Sequence, residues 1–283
     1  MPNRKAPTAR QRRLGTELKK IREHAGLTPA HAAQLLGSDR TAIANIESGR
    51  SGVSGERVRT WAGHYGCADT AYIEALAAMA EERSQGWWDE YHGVLSSGAL
   101  DLAELEAHST ALRAVQIMHM PGLLQTEEYA RAVFEEAVPT LSPTSLRRQL
   151  SYRLKRRDVL DRDSPPQCTF LIHEAALRLE FGGAKVARAQ LERLLEQSER
   201  ENVTVRVIPF AAGGFPNAGS STLYASGPVP QLDTVQTDTA HGPAFLDAET
   251  RLDNYRAILD RTEQRSLDPD RSRDFIHERA QQV

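Results

Sequence analysis

At 283 residues with 40% hydrophobic content, the chain is long enough for two domains with their own cores, and its 26% charged fraction excludes wholesale disorder. No run approaches the roughly 18–20 uninterrupted apolar residues of a membrane span. The basic start MPNRKAPTARQRR has no apolar stretch behind it, so no signal peptide and a soluble, cytoplasmic protein are expected. The net charge of −3 hides an asymmetry: residues 1–66 hold 12 Lys and Arg against 5 Asp and Glu, whereas residues 67–283 hold 23 against 33. A basic head on an acidic body suits a DNA-binding domain joined to one that does not bind DNA.

Residues 1–9, with two prolines, read as a flexible basic arm. Leu14, Leu18, Ile21 and Ala25 mark an amphipathic helix over Arg10–Ala25, closed by Gly26-Leu27. Thr28 to Arg50 then reads as two short helices about the turn Leu36-Gly37-Ser38. Thr28 is a good N-cap and Pro29 suits the first helical position, where its missing N–H costs nothing. Ala30, Ala33 and Leu36 recur at helical spacing, and Gly37 supplies the positive φ that stops the helix. Ser38 or Asp39 caps the second helix, which turns Ala42, Ile43 and Ile46 inward and Arg40, Thr41 and Asn45 outward before closing at Ser48-Gly49. A short helix with base-competent side chains on one face and an apolar back suits a major groove. This is a helix-turn-helix. Ser54 caps a helix carrying Val58, Trp61, Ala62 and Tyr65, ended by Gly66, and a fifth runs from Asp69 to about Arg83 over Ile73, Leu76, Ala77 and Ala80. Residues 10–84 are therefore expected to form a five-helix, all-α head.

The character changes at Gly86-Trp87-Trp88, which opens a second domain over residues 85–283. Trp87, Trp88 and Tyr91 are assigned to interdomain or partner packing, because Trp chiefly supplies buried area. A linker helix over Asp101–Gln116, with Leu102, Leu105, Ala111, Leu112 and Val115 on one side, leads to a Pro121-Gly122 turn. Thr126 caps a helix with Glu127 and Glu128 in its first turn, and Ser142-Pro143 opens another. The basic run Arg147, Arg148, Arg153, Lys155, Arg156 and Arg157 on that helix reads as a solvated face paired with Glu135, Glu136 or Asp158. Cys168–Ile172 and Val203–Ile208 have strand character, with an amphipathic helix over Val186–Glu199 between them. Thr222–Tyr224 and Thr234–Val235 suggest a small antiparallel sheet, and helices over Glu249–Glu263 and Ser272–Arg279 complete an α+β body.

Catalytic signatures are weak. His173-Glu174 lacks the second His of a zinc-protease motif, Ser220-Ser221 lacks a nucleophile elbow, and Gly182-Gly183 and Gly213-Gly214 lack phosphate-loop spacing. His173 reads as a hydrogen-bonded residue at a strand end. Cys67 and Cys168 stand alone, without zinc-site spacing, and read as buried free thiols. No enzyme, metal or cofactor is expected.

Residues 10–66 resemble the Xre-type, lambda/434-repressor-like DNA-binding domain. Gly86-Trp87-Trp88, PGLLQTEEYAR (Pro121–Arg131), HEAAL (His173–Leu177) and VRVIPFAAG (Val205–Gly213) resemble the C-terminal domain of actinobacterial regulators described as antitoxin-like. Matched position by position, the resemblance places Arg40, Thr41 and Asn45 at base edges, Asp39 at the cap beside them and Thr28 at a phosphate. Ser38 and Arg50, at the two ends of that helix, belong to the same expected interface. Glu47 is implied to pair with Arg22. Residue type then suggests guanine for Arg40, adenine for Asn45, and a thymine methyl or phosphate for Thr41. Pro29 stands where related domains carry a Gln or Glu that helps hold phosphate, and Ala44 shortens the readout surface. A homodimer reading two half-sites about 34 Å apart, or a multiple of that, compensates, with the body supplying the dimer contact. The resemblance implies a transcriptional regulator of double-stranded DNA whose body binds a small protein encoded by an adjacent gene. The competing reading is a small-molecule sensor with a pocket near the Gly213–Gly219 loop, Phe210, Phe215 and Tyr224.

Overall fold

The computed structural model describes residues 6–82, 86–239 and 242–283. Two compact units divide after Asp89. Arg4, Lys5 and most of the expected arm lie outside the described residues, as does Arg83, so the fifth helix is described only to Glu81.

The first unit contains α1 (Ala9–His24), α2 (Pro29–Leu35), α3 (Arg40–Glu47), α4 (Gly55–His64) and α5 (Thr70–Glu81). Each helix opens on a side-chain cap: Thr8, Thr28, Asp39, Ser54 and Asp69 all accept from a first-turn N–H. Gly37 ends α2 at φ 57°, with Ser38 N–H returning 2.9 Å to the Ala33 carbonyl. Gly49 ends α3 likewise at φ 72°, with Arg50 N–H returning 2.8 Å to Asn45. Leu18, Ile43, Ile46, Val58, Trp61 and Leu76 form the buried centre.

Two buried stripes differ from the expected ones. In α2 the buried pair is Ala32 and Ala33, with Ala30 exposed and Leu36 half-buried, because the seven-residue helix presents its Ala32–Leu36 edge inward. In α5, Tyr72 is buried in place of Ile73, because its hydroxyl donates to Glu17 Oε2 at 2.5 Å. Glu17, 2% exposed, also accepts from Arg13 Nε and Lys20 Nζ, each at 2.7 Å. Its charge is thus buried with full compensation. Cys67, expected to be buried, is half-exposed at the end of α4, whereas Cys168 is buried.

The second unit is built on one mixed sheet. Its elements are α6 (Ser97–Ala107), β1 (Ala111–Gln116), α7 (Glu127–Glu135), α8 (Pro143–Lys155), β2 (Gln167–His173), α9 (Glu174–Arg178), α10 (Ala184–Gln197), β3 (Val203–Ile208), β4 (Thr222–Ser226), β5 (Thr234–Thr239), β6 (Gly242–Leu246), α11 (Glu249–Arg265) and α12 (Pro269–Gln282). The strand order is β3-β2-β1-β4-β5-β6, with β1, β2 and β3 parallel and the remaining pairings antiparallel. The fold is α+β. The expected small antiparallel sheet is therefore half of a larger one.

The expected linker helix over Asp101–Gln116 is corrected: α6 stops at Ala107, and Ala111–Gln116 form the strand between β2 and β4. Leu112 and Ala114 face a core shared with Tyr129, Leu160, Phe170, Ile172, Leu191 and Ile276. Val115 faces the opposite core, with Leu171, Ile208, Tyr224, Val235 and Leu259. Both faces of the strand are covered, which is how a run without clean alternation becomes β. The sheet register brings the ends of β1, β2, β3 and β5 to one edge, since Val115 pairs with Thr222 and Thr222 with Thr237. That edge carries the Ile117–Met120 and Pro209–Ser221 loops.

The basic run does not form the solvated face expected of it. Arg156 turns inward and donates from Nε to Glu106 Oε2 at 2.8 Å and from Nη2 to Glu106 Oε1 at 2.5 Å, with both side chains buried. Lys155 pairs with Glu90 at 2.7 Å, and Arg153 and Arg157 donate to Gln125. Arg147 and Arg148 are exposed. None of these ion pairs uses Glu135, Glu136 or Asp158.

Candidate nucleic-acid interface

The geometry of α3 is set from behind by α1. Arg22, at the end of α1, donates from Nε to Glu47 Oε1 at 2.6 Å and from Nη2 to Glu47 Oε2 at 2.9 Å. Its third nitrogen, Nη1, donates to the Leu27 carbonyl at 2.6 Å, tying the loop before α2 into the same fork. The Glu47 hydrogen bonds raise the Arg22 pKa, so the guanidinium is held charged. Close approach does the rest. A Cβ on Gly15 would meet the Glu47 carbonyl oxygen at 2.5 Å, so only glycine lets the two helices come this near.

With Ile43 and Ile46 buried against that support, Arg40, Thr41 and Ala44 are exposed and Asn45 half-exposed. Among the described residues, the side chains of Arg40, Thr41, Asn45 and Arg50 make no hydrogen bond within the protein. Such donors and acceptors are free for base edges or phosphates. Thr28 is exposed and its oxygen already accepts from His31 N–H at 3.2 Å, which leaves the hydroxyl proton for an outside acceptor. Ser38 is half-buried in the turn. A groove of about 380 Å³ beside α3 is lined by Pro7, Leu14, Ile46, Arg50 and Val53, so the loop after α3 lies next to the start of the described chain.

Asp39 Oδ1 accepts from Ala42 N–H at 2.7 Å and fixes the first turn of α3. Asp39→Ala should lower the head's stability by about 0.5–2 kcal/mol, and Asp39→Asn far less. Urea denaturation of the three proteins checks this.

Comparison with known families follows this division. A model described as a helix-turn-helix domain matches residues 13–76. One described as a domain of unknown function (DUF5753) matches residues 99–278, more than half of the chain. The protein belongs to the DUF5753 family. No curated protein and no solved structure matches it.

Within the DUF5753 domain, the Pro121–Thr126 motif is a hub. Gln125, 2% exposed, donates to the Met120 carbonyl at 2.8 Å and accepts from Arg153 Nη1 at 2.6 Å. Gln190 of α10 accepts from Thr126 N–H and donates to the Leu124 carbonyl, at 2.8 and 2.9 Å. Ahead of the matched span, Tyr91 lies in the second unit, its ring 5.5 Å from Tyr152 and its hydroxyl 2.9 Å from Ser151. Trp87 and Trp88, expected to open the second domain, lie instead at the end of the first unit, where they form an edge-on pair at 5.9 Å and a side chain on Gly86 would collide with the Trp88 ring. Nothing local in the sequence marks Arg153 and Arg157 as the arginines that grip Gln125.

Phe210 and Phe215 flank His173 at 5.1 and 5.6 Å. Tyr224 instead turns its hydroxyl to Asp233 at 2.6 Å and accepts from Arg256 Nε at 2.6 Å. Glu174 is engaged by the Phe210 N–H and by Arg178. His173 Nδ1 accepts from Ala175 N–H at 3.3 Å and so caps α9 as neutral imidazole. Burial lowers its pKa, against a smaller opposing effect of Glu174. The unfolded chain therefore takes up this proton first as pH falls below about 6.5, and stability drops on acidification from pH 7 to 5. His173→Asn keeps a capping acceptor and should flatten that part of the melting-temperature profile. No group of three or more His, Cys, Asp or Glu able to hold a metal occurs among the described residues.

Proposed function

We propose that this protein is a sequence-specific, Xre-type transcriptional regulator that binds its operator as a homodimer. The observation that carries this reading is the exposed face of α3, where Arg40, Thr41 and Asn45 keep their side-chain hydrogen-bonding groups free on a rigidly braced helix. Arg40 reads guanine, Asn45 adenine, Thr41 a thymine methyl or phosphate, and Thr28, Ser38 and Arg50 contact the backbone. The basic head adds the sequence-independent attraction.

The DUF5753 domain answers to a small protein encoded by an adjacent gene, an arrangement suggested by the likeness to antitoxin-like actinobacterial regulators. Trp87, Trp88 and Tyr91 hold the two heads of the dimer in register. A second reading, control by a small molecule, is favoured by the cluster of polar groups around Arg153 at the sheet edge. Fluorescence anisotropy on DNA upstream of the protein's own gene, across a salt series and with the neighbour's product added, tests the proposal. Tight, selective binding that the neighbour alters supports it. Weak, unselective binding untouched by the neighbour overturns the pairing.

A further inference from the structure

We propose that the DUF5753 domain holds a binding site for a small oxyanion, a carboxylate or a phosphate, built on Arg153 at the sheet edge beside β1. Arg153 lies one helical turn before Arg156, and the carboxylate between them is already taken. Glu106 is held by two bonds from Arg156. Arg153 itself donates from Nη1 to the amide oxygen of Gln125, a neutral partner, and lies 4.9 Å over the Phe134 ring. Its Nε is buried with no hydrogen-bond partner among the described residues, while the side chain as a whole reaches the surface in part. A guanidinium with a free edge and no carboxylate of its own is matched by the paired oxygens of an oxyanion.

The surroundings point the same way. Gly122 has no side chain, and a Cβ there would sit 3.2 Å from Arg153 Nη1 and 3.5 Å from Arg156 Nη1, so the missing side chain lets the turn approach both guanidiniums closely. His119, exposed just past the end of β1, stacks on Phe181 at 5.0 Å and is close enough to feel the Arg153 charge. Asp238, exposed on β5, acts electrostatically on His119, Arg153 and Arg156 alike and accepts from the buried Gln236 amide at 2.8 Å. Burial and the neighbouring Arg156 lower the Arg153 pKa to about 10, the direction a bound anion would reverse. The place fits too. Gln125, which Arg153 holds, reaches the Met120 carbonyl just past the carboxyl end of β1.

This inference deepens the small-molecule reading of the domain, yet its test needs no DNA. Thermal melts and calorimetry of the full chain would be run with inorganic phosphate and, separately, with succinate, against sodium chloride of equal ionic strength. One or both oxyanions should raise the melting temperature saturably, by about 4 °C or more near saturation. Arg153→Gln should abolish the rise, and Arg148→Gln, exposed on the same helix, should retain it. Asp238→Asn removes an opposing charge and should tighten binding several-fold, which decides the matter even if Arg153→Gln fails to fold. A preference for phosphate or for succinate identifies the oxyanion. An equal response in wild type and Arg153→Gln, or none in wild type and Asp238→Asn, overturns the site. Binding that leaves DNA affinity unchanged would keep the site and sink the small-molecule control of DNA binding.

Discussion

Replacing Glu47 by Ala should destabilise the head by about 3–5 kcal/mol, the usual cost of leaving one partner of a buried ion pair alone. The side chains of Arg22 and Glu47 are 4% and 7% exposed, so little water reaches the guanidinium once the carboxylate is gone. The loss also frees the last turn of α3, because Arg22 is the side chain that ties Glu47 to α1 and to the α1–α2 loop at once. Guanidinium denaturation of the full chain measures the first effect. Glu47→Gln should fall between wild type and Glu47→Ala, since its amide oxygen keeps one acceptor. An apolar double replacement of Arg22 and Glu47 should lie closer to wild type than either single change. Tyr65→Phe is the contrasting case: its hydroxyl is buried nearby without a partner among the described residues, so its removal should leave stability unchanged or raise it. A Glu47→Ala protein as stable as wild type would show that the fork contributes nothing net.

Arg40→Ala and Asn45→Ala should each weaken operator binding by about 1–3 kcal/mol, roughly 5- to 150-fold, and relax selectivity at one base. The reasoning is geometric. Both side chains project from a helix fixed by the Asp39 cap and the Arg22–Glu47 fork, so losing either changes the contact without changing the pose. The two losses should add when combined, provided that the bases read are not adjacent. Arg50→Ala should behave differently, weakening binding to every sequence alike and reducing the slope of log affinity on log salt by about 1. Anisotropy titrations on the upstream DNA and on single-base variants separate the two patterns. A uniform loss for Arg40→Ala would reassign that residue to a phosphate.

Much of the head was legible in the sequence, because its signals are local. Thr28, Asp39 and Ser54 cap within three residues of themselves, and Gly37 and Gly49 end helices through their own φ. The outward set Arg40, Thr41 and Asn45 follows from the period of one short helix. Strands β2 and β3 were equally readable from β-branched and alternating residues. By contrast, Ala111–Gln116 is composed largely of good helix formers, and Leu102 and Leu105 upstream extend an apparent helical period into it. Only docking between β2 and β4, with a core on each face, makes that segment a strand. The same holds for charge. Arg156 finds Glu106 50 residues back, and Tyr72 finds Glu17 55 residues back. Neither partner is marked by any spacing, so a run that reads as a solvated basic face hides a buried pair and an arginine left with a free edge. Sequence alone determined what each short segment can do by itself: start, stop, twist and present one face. Tertiary structure decided which distant groups share a buried space, because the cost of burying a charge or an open strand edge depends on partners that the chain brings together only when it folds.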